Sequence, residues 1–317
     1  MKIYRDLSEL GERLPTPVAT IGNFDGVHRG HREMFRRVIR EARELGGTAL
    51  VVTFIPHPLK VLPVGKTLRL ITTYAEKERL IAASGIDCLL TIPFTAEFAQ
   101  LTPRGFVEEV LVGNLGVRRL VIGYDYAFGR NREGSVTELR RLGEEFGFAV
   151  EVLEPISSGG VVYSSSMIRR MIAAGQVREV VPYLGRHFSL RGTVVHGRHR
   201  GLGLGFPTAN LVTDQELLPG DGVYAVRVQI GDREWDGAGN IGTNPTFGPG
   251  ERSLEVHLFD FAGDLYGQEV RLTFIDRVRD ERRFADAAAL QEQICRDVVR
   301  CREILADNVA RACQDEG

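Results

Sequence analysis

Midway along the chain the period of the apolar pattern changes, and that change limits the fold more than any single residue does. Up to about residue 155, apolar residues come in short unbroken runs, Pro17–Ile21, Thr48–Phe54, Asp87–Ile92, Arg119–Gly123 and Ala149–Leu153. A run without polar alternation suits a strand covered on both faces. Between the runs lie amphipathic segments; in Gly30–Leu45 the residues Met34, Phe35, Val38, Ile39, Ala42 and Leu45 fall on one helical face. Thr73-x-x-Glu76 and Ser135-x-x-Glu138 are capping boxes, Pro103 after Thr102 suits a first helical residue, and Gly85 and Gly147 suit helix ends. Strands alternating with helices in this way predict a doubly wound parallel α/β sheet.

After about residue 186 the period becomes two. In Val223–Ile230, Tyr224, Val226, Val228 and Ile230 alternate with Ala225, Arg227 and Gln229, and the pattern recurs in Leu254–Phe259 and Val270–Ile275. Such runs, separated by Gly, Pro and Asp, predict an antiparallel β-barrel or sandwich. One long amphipathic helix closes the chain, with Leu290, Ile294, Val298, Cys301, Leu305, Val309 and Cys313 on its apolar stripe. The 317 residues therefore divide into two expected domains, 1–185 and 186–317, with a helical junction at Ser165–Leu184.

Composition removes several function classes. A formal net charge of -2 gives no general attraction to nucleic acid or to an anionic membrane. No apolar run approaches the roughly 20 residues that span a bilayer. The start, Met1-Lys2-Ile3-Tyr4-Arg5-Asp6, lacks the apolar core of a signal peptide, so the cytoplasm is the expected location. The cysteines, Cys88, Cys295, Cys301 and Cys313, form no CxxC pair and suit reduced packing roles.

The first long strand runs into Gly22-Asn23-Phe24-Asp25-Gly26-Val27-His28-Arg29-Gly30-His31. This is the carboxyl edge of the sheet, where open α/β folds bind ligands. Gly22, Gly26 and Gly30 let the backbone approach a ligand, the helix start offers free N–H groups to phosphate, and His28 and His31 add two ring donors. No Walker motif is present. HxGH after a first strand resembles the nucleotidyltransferase superfamily, and the fuller string from Gly22 to His31 resembles the FMN adenylyltransferase module of bacterial FAD synthetases. Thr53-Phe54-Ile55-Pro56-His57-Pro58, Gly123-Tyr124-Asp125-Tyr126-x-Phe128-Gly129 and Ser164-Ser165-Ser166-Met167-Ile168-Arg169 match the same family in order. The resemblance implies that His28 and His31 are catalytic, stabilising ATP phosphates while an FMN phosphate attacks the α-phosphorus. It also implies ATP contacts from Gly22, Phe24, Asp25, Gly26, Gly30, Ser164, Ser165, Ser166 and Arg169, and flavin surroundings from Asn23, His57, Asp125 and Phe128. An FMN phosphate is already anionic, so such a site needs charge stabilisation and alignment, not a base.

In the β-rich half, a glycine-rich stretch precedes Gly205-Phe206-Pro207-Thr208-Ala209-Asn210. A hydroxyl and an amide two residues apart, beside such a loop, suit Mg²⁺ and phosphates. Downstream, the alternation in Ser253–Phe261 turns Leu254, Val256 and Leu258 one way and Glu255 and His257 the other. The GFPTAN and EVH strings resemble riboflavin kinases. That resemblance implies Thr208 and Asn210 at Mg²⁺–ATP, Gly197, Gly201, Gly205 and Pro207 around the phosphates, and Glu255 as the base that deprotonates the riboflavin alcohol. Gly239-Asn240-Ile241-Gly242-Thr243-Asn244-Pro245-Thr246-Phe247 matches the same family.

The whole resemblance implies a bifunctional enzyme using ATP and Mg²⁺ to make FMN from riboflavin and then FAD, with no nucleic-acid or membrane partner. The family pattern differs from this sequence at Ile55, where an acidic residue is usual, at Ser166 and Met167, where Thr and Arg are usual, and at Leu202, often basic. These departures define an alternative, a riboflavin kinase with an impaired adenylyltransferase module. An alternative of another class is a flavin- or nucleotide-binding regulator without turnover, against which the retained Glu255 counts.

Overall fold

The protein is described by a computed structural model covering residues 1–11, 13–62, 68–158, 161–196, 205–243 and 252–315. Its contacts divide it into two compact units, Met1–Ser165 and Ser166–Gly317.

The first unit is built on a six-stranded sheet: β1 (Lys2–Tyr4), β2 (Val18–Ile21), β3 (Ala49–Ile55), β4 (Cys88–Pro93), β5 (Arg119–Gly123) and β6 (Ala149–Leu153), in the order β1-β4-β3-β2-β5-β6. Every pairing is parallel. The apolar runs are continuous because both faces are covered. Ala19, Ile21, Leu50 and Val52 pack on one side, and Val18, Ala49, Val51 and Val121 on the other. Helix α1 (Arg29–Glu44) covers the second side with Phe35, Val38 and Ala42. The N-caps of these two helices form as expected: Thr73 Oγ1 accepts from Glu76 N at 3.2 Å, and Ser135 Oγ accepts from Glu138 N at 3.2 Å. Gly147 ends its helix in the left-handed conformation, at φ 79°. The short edge strand β1 was not evident from the sequence, since three residues carry no readable period.

Order matters for the site. From β2 the chain moves outward through β3 to β4, then returns to place β5 on the other flank of β2. The carboxyl ends of β2, β3 and β5 therefore border the crevice at the topological switch point. A two-stranded hairpin, β7 (Ser157–Ser158) with β8 (Val161–Val162), follows β6.

The second unit is a closed antiparallel barrel, in the order β10-β13-β12-β11-β14-β9. Its strands are β9 (Ser189–Val195), β10 (Ala209–Val212), β11 (Gly222–Ile230), β12 (Arg233–Thr243), β13 (Arg252–Leu258) and β14 (Glu269–Arg279). Tyr224, Val226, Val228, Leu272 and Phe274 are buried inside, as the period-two pattern predicts. Ala225 is also fully buried, although it faces outward. There the C-terminal helix (Ala287–Asp315) lays Cys301, Ile304 and Leu305 over Ala225, Phe259 and Ile275. Small side chains at Ala225 and its cross-strand partner Ala238 let that helix approach. Burial pushes the Cys301 thiol up to about 12, so it packs as an apolar group. Arg279 at the end of β14 holds the buried Asp297 on the same helix through both carboxylate oxygens at 2.8–3.0 Å.

The junction helix (Ser165–Ala173) and the turn after it dock on the barrel, which is why the compact units divide at its start. Gly220 N donates to Ile172 O at 3.3 Å, Arg277 Nη1 to Ala174 O at 3.4 Å, and Arg178 Nη1 to Asp276 Oδ2 at 2.9 Å. Substituting Ala225→Leu should overpack the helix–barrel contact without touching the barrel interior. The expected cost is about 1–3 kcal/mol in a denaturant titration, with the β signal of the circular dichroism spectrum retained.

Candidate functional sites

The segment from Gly22 to His31 takes an unusual path between β2 and α1. Phe24, Gly26 and Val27 all have positive φ, at 48°, 85° and 42°. Only Gly26 does so without penalty, and a β-branched valine there is a genuine outlier that the surroundings must hold in place. Asp25 is the main restraint. Its buried carboxylate accepts Ile71 N at 2.9 and 3.2 Å and Thr72 N at 3.3 Å, and Gly26 N donates to Thr72 Oγ1 at 3.3 Å. That carboxylate therefore anchors the loop.

The path delivers two imidazoles to the start of α1. His28 is the N-cap residue and is buried, and its ring stacks on His31 with centroids 3.6 Å apart and planes inclined by 23°. Phe24 meets His31 edge-on at 5.2 Å and Phe35 at 5.0 Å. A Cβ on Gly30 would lie 3.1 Å from the His28 ring, a tight contact that the bare glycine spares the stack. The two imidazoles thus sit together at the start of α1, where the positive end of the helix dipole lies.

The other predicted residues of this site have mixed placements. Ser165 donates its hydroxyl to Asp25 O at 2.8 Å and so tethers the loop. Ser164 directly precedes the junction helix, on which Ser166 and Arg169 lie in the second compact unit. His57 is buried and caps a short helix (Pro58–Val61): its Nδ1 accepts from Leu59 N at 3.1 Å, while its own N–H donates to Tyr74 Oη at 3.0 Å. Asp125 is exposed after β5, whereas Phe128 is buried between Phe106 and Tyr126, at 5.9 and 5.7 Å. Phe128 is thus part of a wall. The aromatic chain continues through Phe98 to Phe94 and Phe54, which the sequence reading did not assemble.

The second cluster sits on the outer face of the barrel. In the register, Asn210 lies opposite Glu255, and Glu255 lies opposite Asn240. Directly paired residues share a face. Leu254, Val256 and Leu258 point into the barrel, so Asn210, Glu255 and Asn240 form a polar row across β10, β13 and β12 on the outside. Thr208, two residues before Asn210, precedes the same strand. His257, two residues after Glu255, bonds through Nδ1 to Pro207 O at 2.8 Å and packs edge-on against Phe206 at 5.5 Å, fixing the turn that carries Thr208. Gly205 enters this turn at φ 82°. Gly197 and Gly201, with Leu202 and the end of the 239–247 string, lie outside the described residues.

Residues 12–167 match the family model for FAD synthetase, and residues 184–305 match that for riboflavin kinase. The chain is 38% identical over 305 residues to the bifunctional riboflavin kinase/FMN adenylyltransferase of Escherichia coli K12, covering 96% of this chain and 97% of that protein. This chain belongs to the bifunctional riboflavin kinase/FMN adenylyltransferase family. The Pseudomonas fluorescens member is 38% identical over 313 residues, covering 98% of this chain and 100% of its own. A solved structure named as a macrolide-efflux protein from Streptococcus pneumoniae matches with a TM-score of 0.84 at 32% identity, covering 95% of this chain and 98% of that one. Among the described residues no helix is long and apolar enough to cross a membrane.

Two residues beside these clusters carry contacts that sequence periodicity does not show. Asn240 was visible only inside a matching string, because its place beside Glu255 depends on how β12 pairs with β13. Lys77, flanked by Glu76 and Glu78, reads as a solvated helix charge, yet it is only 4% exposed. Asp25→Ala should strand the Ile71 and Thr72 amides and remove a charge near buried Lys77. The expected loss is about 3 kcal/mol in thermal or chemical unfolding of the intact chain.

Proposed function

We propose that this chain carries out both steps its family name describes, phosphorylating riboflavin to FMN in the barrel and adenylylating FMN to FAD at the α/β switch point, with one ATP consumed in each. The register that sets Glu255 between Asn210 and Asn240 carries the first assignment. Glu255 accepts the proton of the riboflavin alcohol as that oxygen attacks the γ-phosphorus of ATP, and ADP leaves. Thr208 and Asn210 offer hard oxygen donors near the base, a set that fits Mg²⁺. When bound, that ion neutralises charge on the phosphate oxygens. His257 holds the Pro207 turn, and so places Thr208.

The stacked His28 and His31 carry the second assignment. A phosphate oxygen of FMN attacks the α-phosphorus of ATP, the bond to the β-phosphate oxygen breaks, and pyrophosphate leaves. Charge on the phosphates is met by the ring N–H groups and the amides at the start of α1. The aromatic wall from Phe54 to Phe128 offers apolar surface suited to a flavin ring. The division at 1–185 and 186–317 is supported by the two family models. A cytoplasmic setting suits the ATP demand of both steps and the free thiols of Cys88, Cys295 and Cys301.

Incubation with riboflavin, ATP and Mg²⁺, followed by separation of the flavins, tests the whole assignment. FMN and FAD should both appear; FMN alone would leave a kinase with an idle second module, and neither would leave a binding protein. Glu255→Ala should lower FMN formation about a hundredfold or more yet leave FMN-to-FAD conversion intact. The double change His28→Ala with His31→Ala should do the reverse, by at least about a hundredfold. Loss of both steps in either variant would argue against separate sites.

A further inference from the structure

Lys77 is a buried cation immediately behind the loop that delivers the histidine stack. Its Nζ donates to Asn23 O at 3.2 Å and to Thr53 Oγ1 at 3.0 Å, and Thr53 Oγ1 in turn donates to Asn23 O at 3.3 Å. Both Lys77 and Thr53 are buried, so these three groups form a closed polar triangle between β3, the loop and the helix Tyr74–Ala82. The ammonium also lies over the Tyr74 ring, 5.3 Å from its centroid. Burial pushes Lys77 down to about 8, with Asp25 and Glu78 pulling the other way. At neutral pH it therefore keeps its proton.

A buried lysine is a costly way to fill space, since a Met or Leu of similar volume would avoid the desolvation penalty. What a lysine adds is a charge-assisted bond to a chosen acceptor. The acceptor here is the carbonyl that immediately precedes Phe24. Phe24 is the first residue of the positive-φ stretch, and its ring edge abuts His31. A fixed Asn23 carbonyl fixes the following peptide plane, hence the Phe24 ring, hence the face on which His31 stacks against His28.

We propose that Lys77 is a positioning residue for adenylyl transfer, holding the Asn23 carbonyl so that the His28–His31 pair keeps its stacked geometry at the start of α1. It touches neither nucleotide nor flavin in this role and acts through Phe24. The role rests on the assignment of FMN adenylylation to the His28–His31 site. Loosening such an arrangement lowers the rate of the bound complex more than it lowers affinity.

The test is Lys77→Met in the full-length chain, with three readings on one sample: FMN-to-FAD kinetics, riboflavin-to-FMN kinetics, and the imidazole NMR resonances of His28 and His31. The expected result is a kcat for FAD formation lowered about tenfold or more with KM for ATP changed less than about threefold. The histidine resonances should shift, and the kinase rate should stay at the wild-type value. Wild-type kcat in Lys77→Met would overturn the proposal, and so would a loss of kcat with unmoved histidine resonances. Should Lys77→Met fail to fold, Thr53→Val decides, because it removes one corner of the triangle and keeps the volume. A smaller fall in kcat with the same resonance shifts supports the role, and an unchanged enzyme overturns it. Absence of FAD formation by the wild-type chain would instead count against the function assigned to the site.

Discussion

Two imidazoles can stack at a helix N-terminus only if the chain leading to them accepts a path that ordinary residues avoid. Here that path is the left-handed backbone at Phe24, Gly26 and Val27, and the Asp25 carboxylate makes it tolerable by binding the amides of Ile71 and Thr72. The strand order then matters, because the loop leaves β2 where β3 and β5 flank it. The Ser165 tether and the Lys77 triangle both close on this one turn.

The second site solves a different problem. A closed barrel this small fills its interior with side chains such as Tyr224, Val226 and Phe274, leaving no room for a ligand inside. Polar side chains lie on the outer face instead, where directly opposed residues on neighbouring strands line up. Asn210, Glu255 and Asn240 are aligned by backbone pairing, so their common face needs no further side-chain restraint. The C-terminal helix takes the adjacent part of that face, seated on Ala225 and held by the Arg279–Asp297 pair.

Much of this was legible in the sequence, and the parts that were not share a cause. The α/β and barrel halves, the N-caps at Thr73 and Ser135 and the outward turn of Glu255 follow from local periodicity and local hydrogen bonding. Lys77 and Asn240 were missed because their significance comes from partners far along the chain, at Asn23 and at Glu255. Asp25, Ser165 and Phe128 were found but given ligand contacts. In the folded chain Asp25 anchors the loop, Ser165 tethers it and Phe128 packs in an aromatic wall. Motif membership marks which residues a site cannot do without. The tertiary contacts add which of them also hold the local fold together.

The outward placement of Glu255 has a consequence for how this half of the molecule can change. Residues that pack the barrel and residues that line the outer row alternate along the same strands, so neighbours in sequence serve separate ends. Val256 is constrained by packing inside the barrel, while Glu255 and His257 on either side face outward. Variation at Glu255 and Asn240 on that face is thereby separated from packing of the barrel interior, whereas Ala238 on the same face stays tied to the C-terminal helix it faces.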